Sequence, residues 1–270
     1  MDISGYALVT GAGSGIGRAT AIEFARAGAK GIALFDLNGS SLDRLRTELE
    51  SLIQSGGKPC RILTKVVDVS NEDTVTLAVN EIADCFGRVD YVVNAAGIAF
   101  KHADGSAEAE TKDWHRVMDI NLNGTFYVYR AAAKLMLKQD YLVSTVDGRP
   151  PQRGVVVNVS SICGVVGVPM STAYCASKHA VIGLTRTASE DYAGRGLRIN
   201  AVCPGYIDTP LIQPGTVVAA VAKEKTEQWT PLRRFGTASE VADAIVFLSS
   251  GRSSYITGTA LMVDGGYTSH

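Results

Sequence analysis

Short apolar segments alternate with amphipathic segments along most of the chain. The apolar runs have few polar residues at alternate positions, which is typical of strands that are covered on both faces. Between them, apolar residues recur every three or four positions, as leucines do at 42, 45, 49 and 52, and this period predicts helices. The predicted strands span residues 6–10, 31–35, 61–67, 91–93, 155–159, 198–202 and 261–263. The predicted helices span residues 18–27, 40–52, 71–85, 114–137, 172–192 and 238–249, the fourth being interrupted at Asn121 and Gly124.

This order of elements predicts an α/β fold. We expect a single Rossmann-type, doubly wound parallel sheet with helices on both faces and right-handed crossovers. Residues 1–270 are expected to form one domain, because the polar, proline-containing stretch at 143–153 is too short to link two domains. That stretch is expected to be an exposed loop. Ser70 is expected to cap the helix that follows it, and residues 206–234 are expected to be irregular.

Composition and charge exclude several classes of protein. Hydrophobic residues make up 46% of the chain, charged residues 20%, and the net charge is −1, which favours a globular protein without a nucleic-acid or anionic-membrane partner. The 5 cysteines and 4 histidines are scattered, so neither a metal site nor a disulfide framework is predicted. We see no signal-peptide pattern and no apolar run near the ~20 residues of a membrane span. A cytoplasmic protein with reduced thiols is the expectation.

A glycine-rich turn at residues 10–17 lies between the first predicted strand and the first helix. Glycines permit a tight turn and close approach of a pyrophosphate, which the N–H groups and dipole of the helix favour. The Gly-x-Gly-x-x-Gly spacing fails at Ile16, and no Gly-Lys-Ser/Thr ending is present. The alternative interpretation is a merely tight connection between strand and helix.

Asp36 makes a dinucleotide more plausible than a plain turn. It ends the second predicted strand, where a carboxylate can accept hydrogen bonds from the adenosine ribose. The same charge repels a 2′-phosphate, and neither Ser14 nor Leu37 and Asn38 supplies a compensating cation. The prediction is NAD(H) rather than NADP(H), with a helix cap or turn residue as the structural alternative.

Polar residues also follow the other predicted strands. Asp68 ends the third strand and Asn94 the fourth, and Ser161 and Pro204 follow two later ones. Because ligands bind beyond the carboxyl ends of strands in open α/β sheets, these residues are expected to lie along one crevice. Each alone could be a turn residue.

Tyr174 and Lys178 lie four residues apart in a predicted helix, and therefore on one face about one turn apart. Such a pair occurs often by chance and alone indicates two solvated side chains. Its meaning depends on which other residues the chain supplies.

The motifs together resemble those of the short-chain dehydrogenase/reductase family, in order and from about residue 5 to residue 266. They are residues 10–17, Asp68-Val69, residues 94–97, Asn121, Ser161, Tyr174 with Lys178, and Pro204-Gly205. Each motif is weak alone, whereas the combination is specific.

The resemblance implies a catalytic set of four residues. Tyr174 would be the general acid/base, and Lys178 would bind the nicotinamide ribose and lower the pKa of the phenol. Ser161, thirteen residues before Tyr174, would hydrogen-bond the substrate oxygen. Asn121 would interrupt its helix and hold a water in a proton relay with Lys178. Each has a structural alternative, such as a cap for Asn121 or a solvated charge for Lys178.

The resemblance also implies the residues that bind NAD(H), with Ile16 at the pyrophosphate and Ile207 and Thr209 at the carboxamide. They are Gly11, Ser14, Ile16, Gly17, Asp36, Asp68, Val69, Asn94, Gly97, Tyr174, Lys178, Pro204, Ile207 and Thr209. No metal is implied. Residues 206–235 would form the substrate loop. A homotetramer is implied, with apolar helices around 126–137 and 181–188 at its contacts, and a monomer is the alternative.

These implications predict an oxidoreductase that transfers a hydride between NAD(H) and a small-molecule secondary alcohol or ketone. One alternative is a ketoacyl- or polyketide-type ketone reductase, although such relatives usually carry Arg or Lys in the glycine-rich turn. Another is a dinucleotide-sensing protein without catalysis, which the complete set of Asn121, Ser161, Tyr174 and Lys178 disfavours. The substrate cannot be inferred from the sequence.

Overall fold

A parallel sheet forms the centre of the molecule. The structure is a computed structural model that describes residues 3–102, 104–144, 146, 148–212 and 217–269. The side chains of residues 217, 218, 220 and 221 are not described. The strands of the sheet are β1 (Tyr6–Thr10), β2 (Gly31–Asp36), β3 (Arg61–Val66), β4 (Tyr91–Asn94), β5 (Gly154–Val159), β6 (Leu197–Pro204) and β9 (Ala260–Val263). They are ordered β3-β2-β1-β4-β5-β6-β9, all parallel. Two further strands, β7 (Ile207–Asp208) and β8 (Gly236–Thr237), pair separately.

Helices cover both faces of the sheet. One face carries α1 (Gly15–Ala27), α2 (Gly39–Gln54) and α8 (Ala238–Ser249). The other carries α3 (Glu72–Phe86), α5 (Gly124–Met136) and α6 (Thr172–Tyr192), with α4 (Thr111–Met118) against α6. The helix α7 (Val217–Trp229) follows β7. No helix in the described ranges is both long and apolar enough to cross a membrane. The α/β fold with a doubly wound, Rossmann-type parallel sheet is therefore confirmed.

The two hydrophobic cores explain the unbroken apolar runs. In β1, Ala7 and Val9 pack into the core beneath α1, whereas Leu8 packs into the core on the opposite face. Successive strand residues point to opposite faces, so a strand covered on both sides needs an apolar residue at every position. The edge strand β3 departs from this rule, since Arg61 and Val66 are exposed at its ends.

Several predicted boundaries need correction. The predicted cap Ser70 is wrong: the α3 cap is Asn71, whose side chain accepts a hydrogen bond from the Thr74 N–H at 2.9 Å. Ser70 instead contacts Asp68. Residues 206–234 are not irregular throughout, because they contain β7 and α7. The sequence of the segment conceals this helix, because the apolar residues of α7 are concentrated at 217–222 and its polar residues follow from Lys223, so that no helical period results.

The loop predicted at 143–153 is exposed at most of its described positions, and an antiparallel bridge between Leu142 and Gln152 closes its base. Residues 145 and 147 of this loop, and 213–216 of the predicted substrate loop, lie outside the described residues. The interruption predicted at Asn121 is confirmed, because residues Asp119–Asn123 form a π-helical turn between α4 and α5. Such turns are frequent at functional sites.

The strand order reverses direction between β1 and β4. From β1 the chain proceeds to β2 and β3 on one side, and it returns to β4 on the other side. Crossovers on opposite sides leave a crevice at the carboxyl ends of these two strands. The turn after β1 and residues 94–97 after β4 meet in this crevice.

Gly17→Ala should destabilise the protein by several kcal/mol, because a Cβ there would lie 2.2 Å from the carbonyl oxygen of Gly11 and the backbone would have to move. The control is Gly183→Ala in α6, where an added Cβ meets nothing within 4 Å and should stabilise the helix by up to ~1 kcal/mol. Urea unfolding of both variants measures the difference. Equal stability of Gly17→Ala and the wild type would contradict the close packing.

Candidate active site

A crevice of about 360 Å³ opens at the reversal point of the sheet. It brings together residues from the turn after β1 and from the ends of β2, β3 and β4. Those predicted to bind the cofactor and found on its wall are Gly11, Ser14, Ile16, Gly17, Asp36, Asp68, Val69, Gly97 and Thr209. Most of the predicted cofactor-binding residues therefore line this crevice.

The start of α1 fits a pyrophosphate. Gly15, Ile16 and Gly17 line the crevice, and the Ser14 side chain makes no capping hydrogen bond to their N–H groups. First-turn N–H groups have no partner within their own helix, so they are available to an anion. Gly15 has φ +50°, and a Cβ on it would lie 3.4 Å from Thr209 across the crevice. A side chain there would fill the space that a phosphate group needs.

Asp36 is positioned by backbone hydrogen bonds. Its Oδ2 accepts from the Gly13 N–H at 2.8 Å, and its Oδ1 accepts from the Asn38 N–H at 2.9 Å. A carboxylate has about four lone-pair sites, so each oxygen can still accept a ribose hydroxyl. The residues present therefore fit an adenosine dinucleotide.

Asn94 lies behind the crevice rather than on its wall. It is 3% exposed, and its Nδ2 donates to Asn158 Oδ1 at 2.9 Å, whose Nδ2 in turn donates to Thr185 Oγ1 at 2.9 Å. Among the described residues, the buried Asn94 Oδ1 has no hydrogen-bond partner. The Asn94 side chain thus links β4 to β5 and, through Asn158, to α6.

Thr10 organises the segment that follows β4. Its Oγ1 accepts hydrogen bonds from the N–H groups of Ala95 and Ala96, at 3.1 and 3.2 Å. The end of β1 thereby holds residues 94–97 beside the glycine-rich turn. The sequence analysis did not assign Thr10 a role of its own.

A second, smaller cavity of about 110 Å³ adjoins the crevice. Ser161, Tyr174 and Lys178 line it together with Gly97 and Ile16. Pro204 and Ile207 also lie on its wall, and Thr209 borders both spaces. Ser161 lies after β5, and its Oγ accepts from the Cys163 N–H at 3.1 Å. Three of the four predicted catalytic residues therefore meet at one cavity.

Lys178 is a buried cation held by a strand carbonyl. It is 5% exposed, its Nζ donates to the Val159 carbonyl at 2.9 Å, and Nζ lies 5.6 Å from the centroid of the Tyr174 ring. Removal from water disfavours the ammonium and lowers the pKa of Lys178 to about 8. The side chain thus titrates near physiological pH.

Burial has the opposite effect on Tyr174. It raises the pKa of the phenol above its ordinary value, and the hydrogen bond with Ser161 offsets only part of that rise. In the protein alone, then, Lys178 does not bring the pKa of Tyr174 below its usual range. The reason is that desolvation acts on the charged form of each residue, so the neutral phenol is favoured.

Asn121 lies in the π-helical turn and is completely buried. Its Oδ1 accepts from the Ile98 N–H at 2.9 Å, and its Nδ2 donates to the Ile98 carbonyl at 2.9 Å and to Ser177 Oγ at 3.1 Å. The side chain is therefore fully engaged in holding the loop after β4 against α6. A water in a proton relay would have to use the backbone carbonyl, which already accepts from Thr125 Oγ1 at 2.7 Å.

A third cavity, of about 170 Å³, shares Ser161 and Tyr174 with the second cavity. Apolar side chains form most of its wall, and Lys101 also lines it. Leu211 and Ile212 fall in the predicted substrate loop, whereas the sequence analysis assigned no role to Phe100 and Lys101. The only available signal was position, since Phe100 and Lys101 come shortly after the motif at 94–97.

The cysteines at 60, 85, 163, 175 and 203 are free thiols. Cys163 lines the third cavity and lies against Cys175, which follows Tyr174. The neighbouring Cys163 thiol lowers the pKa of Cys175 below its ordinary value. No group of His, Cys, Asp and Glu among the described residues could hold a metal ion.

Comparisons with known proteins identify the family. The family model described as enoyl-(acyl carrier protein) reductase matches residues 11–268. Short-chain dehydrogenase srdC of Neurospora crassa is 39% identical, with 99% of this chain and 98% of the relative covered. The chain belongs to the short-chain dehydrogenase/reductase family. It is an NAD(P)-dependent oxidoreductase that acts on an alcohol or a ketone.

Two further proteins are similar to this chain, one in sequence and one in both fold and sequence. The 3-oxoacyl-(acyl-carrier-protein) reductase FabG of Thermotoga maritima is 39% identical over 96% of each chain. The crystal structure of levodione reductase superposes with a TM-score of 0.87 at 31% identity, covering 100% of this chain and 99% of that one. Sequence and fold therefore agree over nearly the whole chain.

Lys178→Met should stabilise the protein by about 1–3 kcal/mol at pH 7, because it removes the desolvation of a buried ammonium. Between about pH 8 and 10.5 the native lysine is already neutral while the unfolded one is still protonated. The unfolded state then binds more protons, so the stability of the wild type rises with pH and the gain from the substitution shrinks. Urea unfolding at pH 7 and 10 measures this.

The control is Lys134→Met on the exposed side of α5, where no buried ammonium is removed and stability at pH 7 should therefore change little. A Lys178→Met variant that is no more stable than the wild type at pH 7, with a pH-independent difference, would contradict the desolvation of Lys178.

Proposed function

We propose that the protein interconverts a secondary alcohol and a ketone with NAD(H), using Ser161, Tyr174, Lys178 and Asn121. The observation that carries the proposal is the meeting of Ser161, Tyr174 and Lys178 at a cavity that joins the dinucleotide crevice on one side and an apolar cavity on the other. This is the arrangement that hydride transfer to a carbonyl requires. Residues 1–270 act as one catalytic domain in this proposal, with 206–235 over the substrate.

In the reducing direction, the protonation states of Tyr174 and Lys178 give each residue its role. When bound, the nicotinamide supplies the hydride. Tyr174, neutral at working pH because of its raised pKa, donates its proton to the carbonyl oxygen as negative charge develops there. Ser161 donates a hydrogen bond to the same oxygen, and its position is maintained by the Cys163 N–H. Lys178 stabilises the tyrosinate that remains.

The oxidising direction needs the tyrosinate as base. Burial opposes this form, and Lys178 as a cation favours it only below the lysine pKa of about 8. A bound nicotinamide ring with a positive charge would add to that stabilisation. Asn121 acts at a distance, by fixing the loop at Ile98 and the Ser177 turn of α6.

Asp36 supports NAD(H) as the preferred cofactor. Its two oxygens are directed by Gly13 and Asn38 toward the crevice, where a 2′-phosphate would meet a carboxylate. Neighbouring Leu37 is 62% exposed and carries no charge. Arg44 of α2 donates to the hydroxyl of Ser41 at 2.8 Å and does not line the crevice.

A second candidate function is reduction of a 3-oxoacyl group. The 39% identity with FabG supports it, whereas the absence of Arg or Lys from residues 10–17 argues against it. Turnover of acetoacetyl thioesters with NADPH, faster than of simple ketones with NADH, would establish this alternative. Nucleotide binding without turnover of any ketone or alcohol would instead favour a sensor.

We also propose a homotetramer. The outer side of α5 offers Phe126 and Tyr127, with the Arg130 guanidinium 4.7 Å from the Phe126 ring centroid. Aromatic residues and arginine are enriched at protein interfaces. Light scattering of the purified protein measures the assembly.

Tyr174→Phe should lower kcat by about 10²–10⁴-fold, because it removes the proton donor while leaving the ring. NADH oxidation with a ketone panel measures turnover, and NADH fluorescence should show binding unchanged within about threefold. Tyr255→Phe is the control, since Tyr255 is 100% exposed. Substantial turnover by Tyr174→Phe would mean that another group supplies the proton.

Asp36→Ser should raise the ratio of kcat/KM with NADPH to that with NADH at least about tenfold, since like charges brought together in a binding site disfavour a ligand by several kcal/mol. Asp43→Ser, exposed on α2, is the control and should leave the ratio unchanged. Equal use of NADPH and NADH by the wild type would contradict the assignment of Asp36.

A further inference from the structure

The cavity beside Ser161 and Tyr174 has one charged wall residue. Its volume is about 170 Å³, below the ~300 Å³ at which drug-sized sites begin. Apolar side chains from four segments enclose it, among them Phe100, Ile162 and Leu211. Of the described residues that line it, Lys101 alone carries a formal charge. The cavity therefore suits a compact apolar group that carries a polar or charged substituent at one position.

A second lysine approaches the same cavity. Ala222 of α7 lines the cavity and is 2% exposed. Lys225 follows three residues later, and residues three apart share a helix face. By contrast, Lys223 points elsewhere and pairs with Glu227 at 3.9 Å. The cavity thus has Lys101 on its wall and Lys225 beside it.

Neither lysine is neutralised by a described acidic residue. No ion pair within 4.0 Å joins Lys101 or Lys225 to any carboxylate in the described ranges. Partial burial and the charge of Lys225 lower the pKa of Lys101. Two cations at the edge of an apolar cavity raise each other's free energy, and an anion between them would lower it.

Four carboxylates lie on the outer side of Lys101 and could compete with a bound anion for its charge. Asp104, Glu108, Glu110 and Asp113 line a separate, open cavity that Phe100 and Lys101 also border. Glu110 is paired with Lys112 at 2.7 Å. The first three acids are exposed, so water and salt screen them. They attract Lys101 outward only weakly, whereas an anion inside the apolar cavity would attract it more strongly.

We propose that the substrate is a compact, apolar alcohol or ketone bearing an anionic group such as a carboxylate, and that Lys101 binds this group while Lys225 adds attraction. The inference rests on the proposed function for the position of the reacting oxygen at Ser161 and Tyr174. It goes beyond that function by naming the substrate class and the residue that selects it.

The first test compares two ketones of one shape, 4-oxocyclohexane-1-carboxylate and 4-oxocyclohexane-1-carboxamide, by NADH oxidation. The wild type should show a kcat/KM at least about tenfold higher for the carboxylate, the effect of one charge-assisted hydrogen bond. Lys101→Gln should remove this preference, whereas Lys101→Arg should keep it. Lys223→Gln is the control and should behave as the wild type.

The second test does not depend on turnover. Isothermal titration of cyclohexanecarboxylate and cyclohexanecarboxamide into the protein saturated with NAD⁺ should show tighter binding of the carboxylate, lost in Lys101→Gln. If neither ketone reacts but this binding pattern is found, the proposed function fails and the anion site stands. If ketones react without preference for the carboxylate, or if carboxylate binding is absent or unaffected by Lys101→Gln, the anion site is wrong. The melting temperature and NAD⁺ affinity of each variant show that it is folded.

Discussion

The parallel register of β1 with its two neighbours is the constraint on which the site depends. Thr10 at the end of β1 lies opposite Phe35 of β2 and Asn94 of β4. Three turns therefore begin at one level, and their polar residues meet although they are far apart in the chain. The contact of Gly17 with Gly11 brings α1 close behind the first turn, and Thr10 Oγ1 holds the third turn beside it. The dinucleotide crevice is the space left between these elements.

Desolvation sets the chemistry at the other end of the crevice. Helix α6 places Tyr174 and Lys178 against the end of β5, where Val159 offers a carbonyl to the ammonium. This environment shifts the two pKa values in opposite directions, upward for the phenol and downward for the ammonium. Such a site stabilises neutral groups until a charged ligand enters. Ser160 keeps the geometry by donating to the Lys178 carbonyl at 2.9 Å.

Much of the fold followed from local pattern. The strands β1, β2 and β4 and the helices α6 and α8 were predicted to within a residue or two, because unbroken apolar runs and helical periods are local properties. The turn at 10–17 and Asp36 were also readable, since each lies at the end of a buried strand. Pattern failed at α7, whose apolar residues are concentrated in its first half and give no helical period, and at the cap of α3, where Ser70 and Asn71 are equally good candidates.

By itself, then, the sequence determined the sheet, the dinucleotide crevice and the family motifs, because these depend on periodicity and on residues at strand ends. Only the tertiary structure decided which side chains are exposed to a ligand. Asn121 contacts Ile98 and Ser177, which are 23 and 56 residues away. These hydrogen bonds could therefore not be predicted from the residues near Asn121 in the sequence. Asn94 lies behind the wall of the dinucleotide crevice, whereas Lys101 lies on the wall of the apolar cavity beside Tyr174. Such positions depend on packing between distant segments, which no local period encodes.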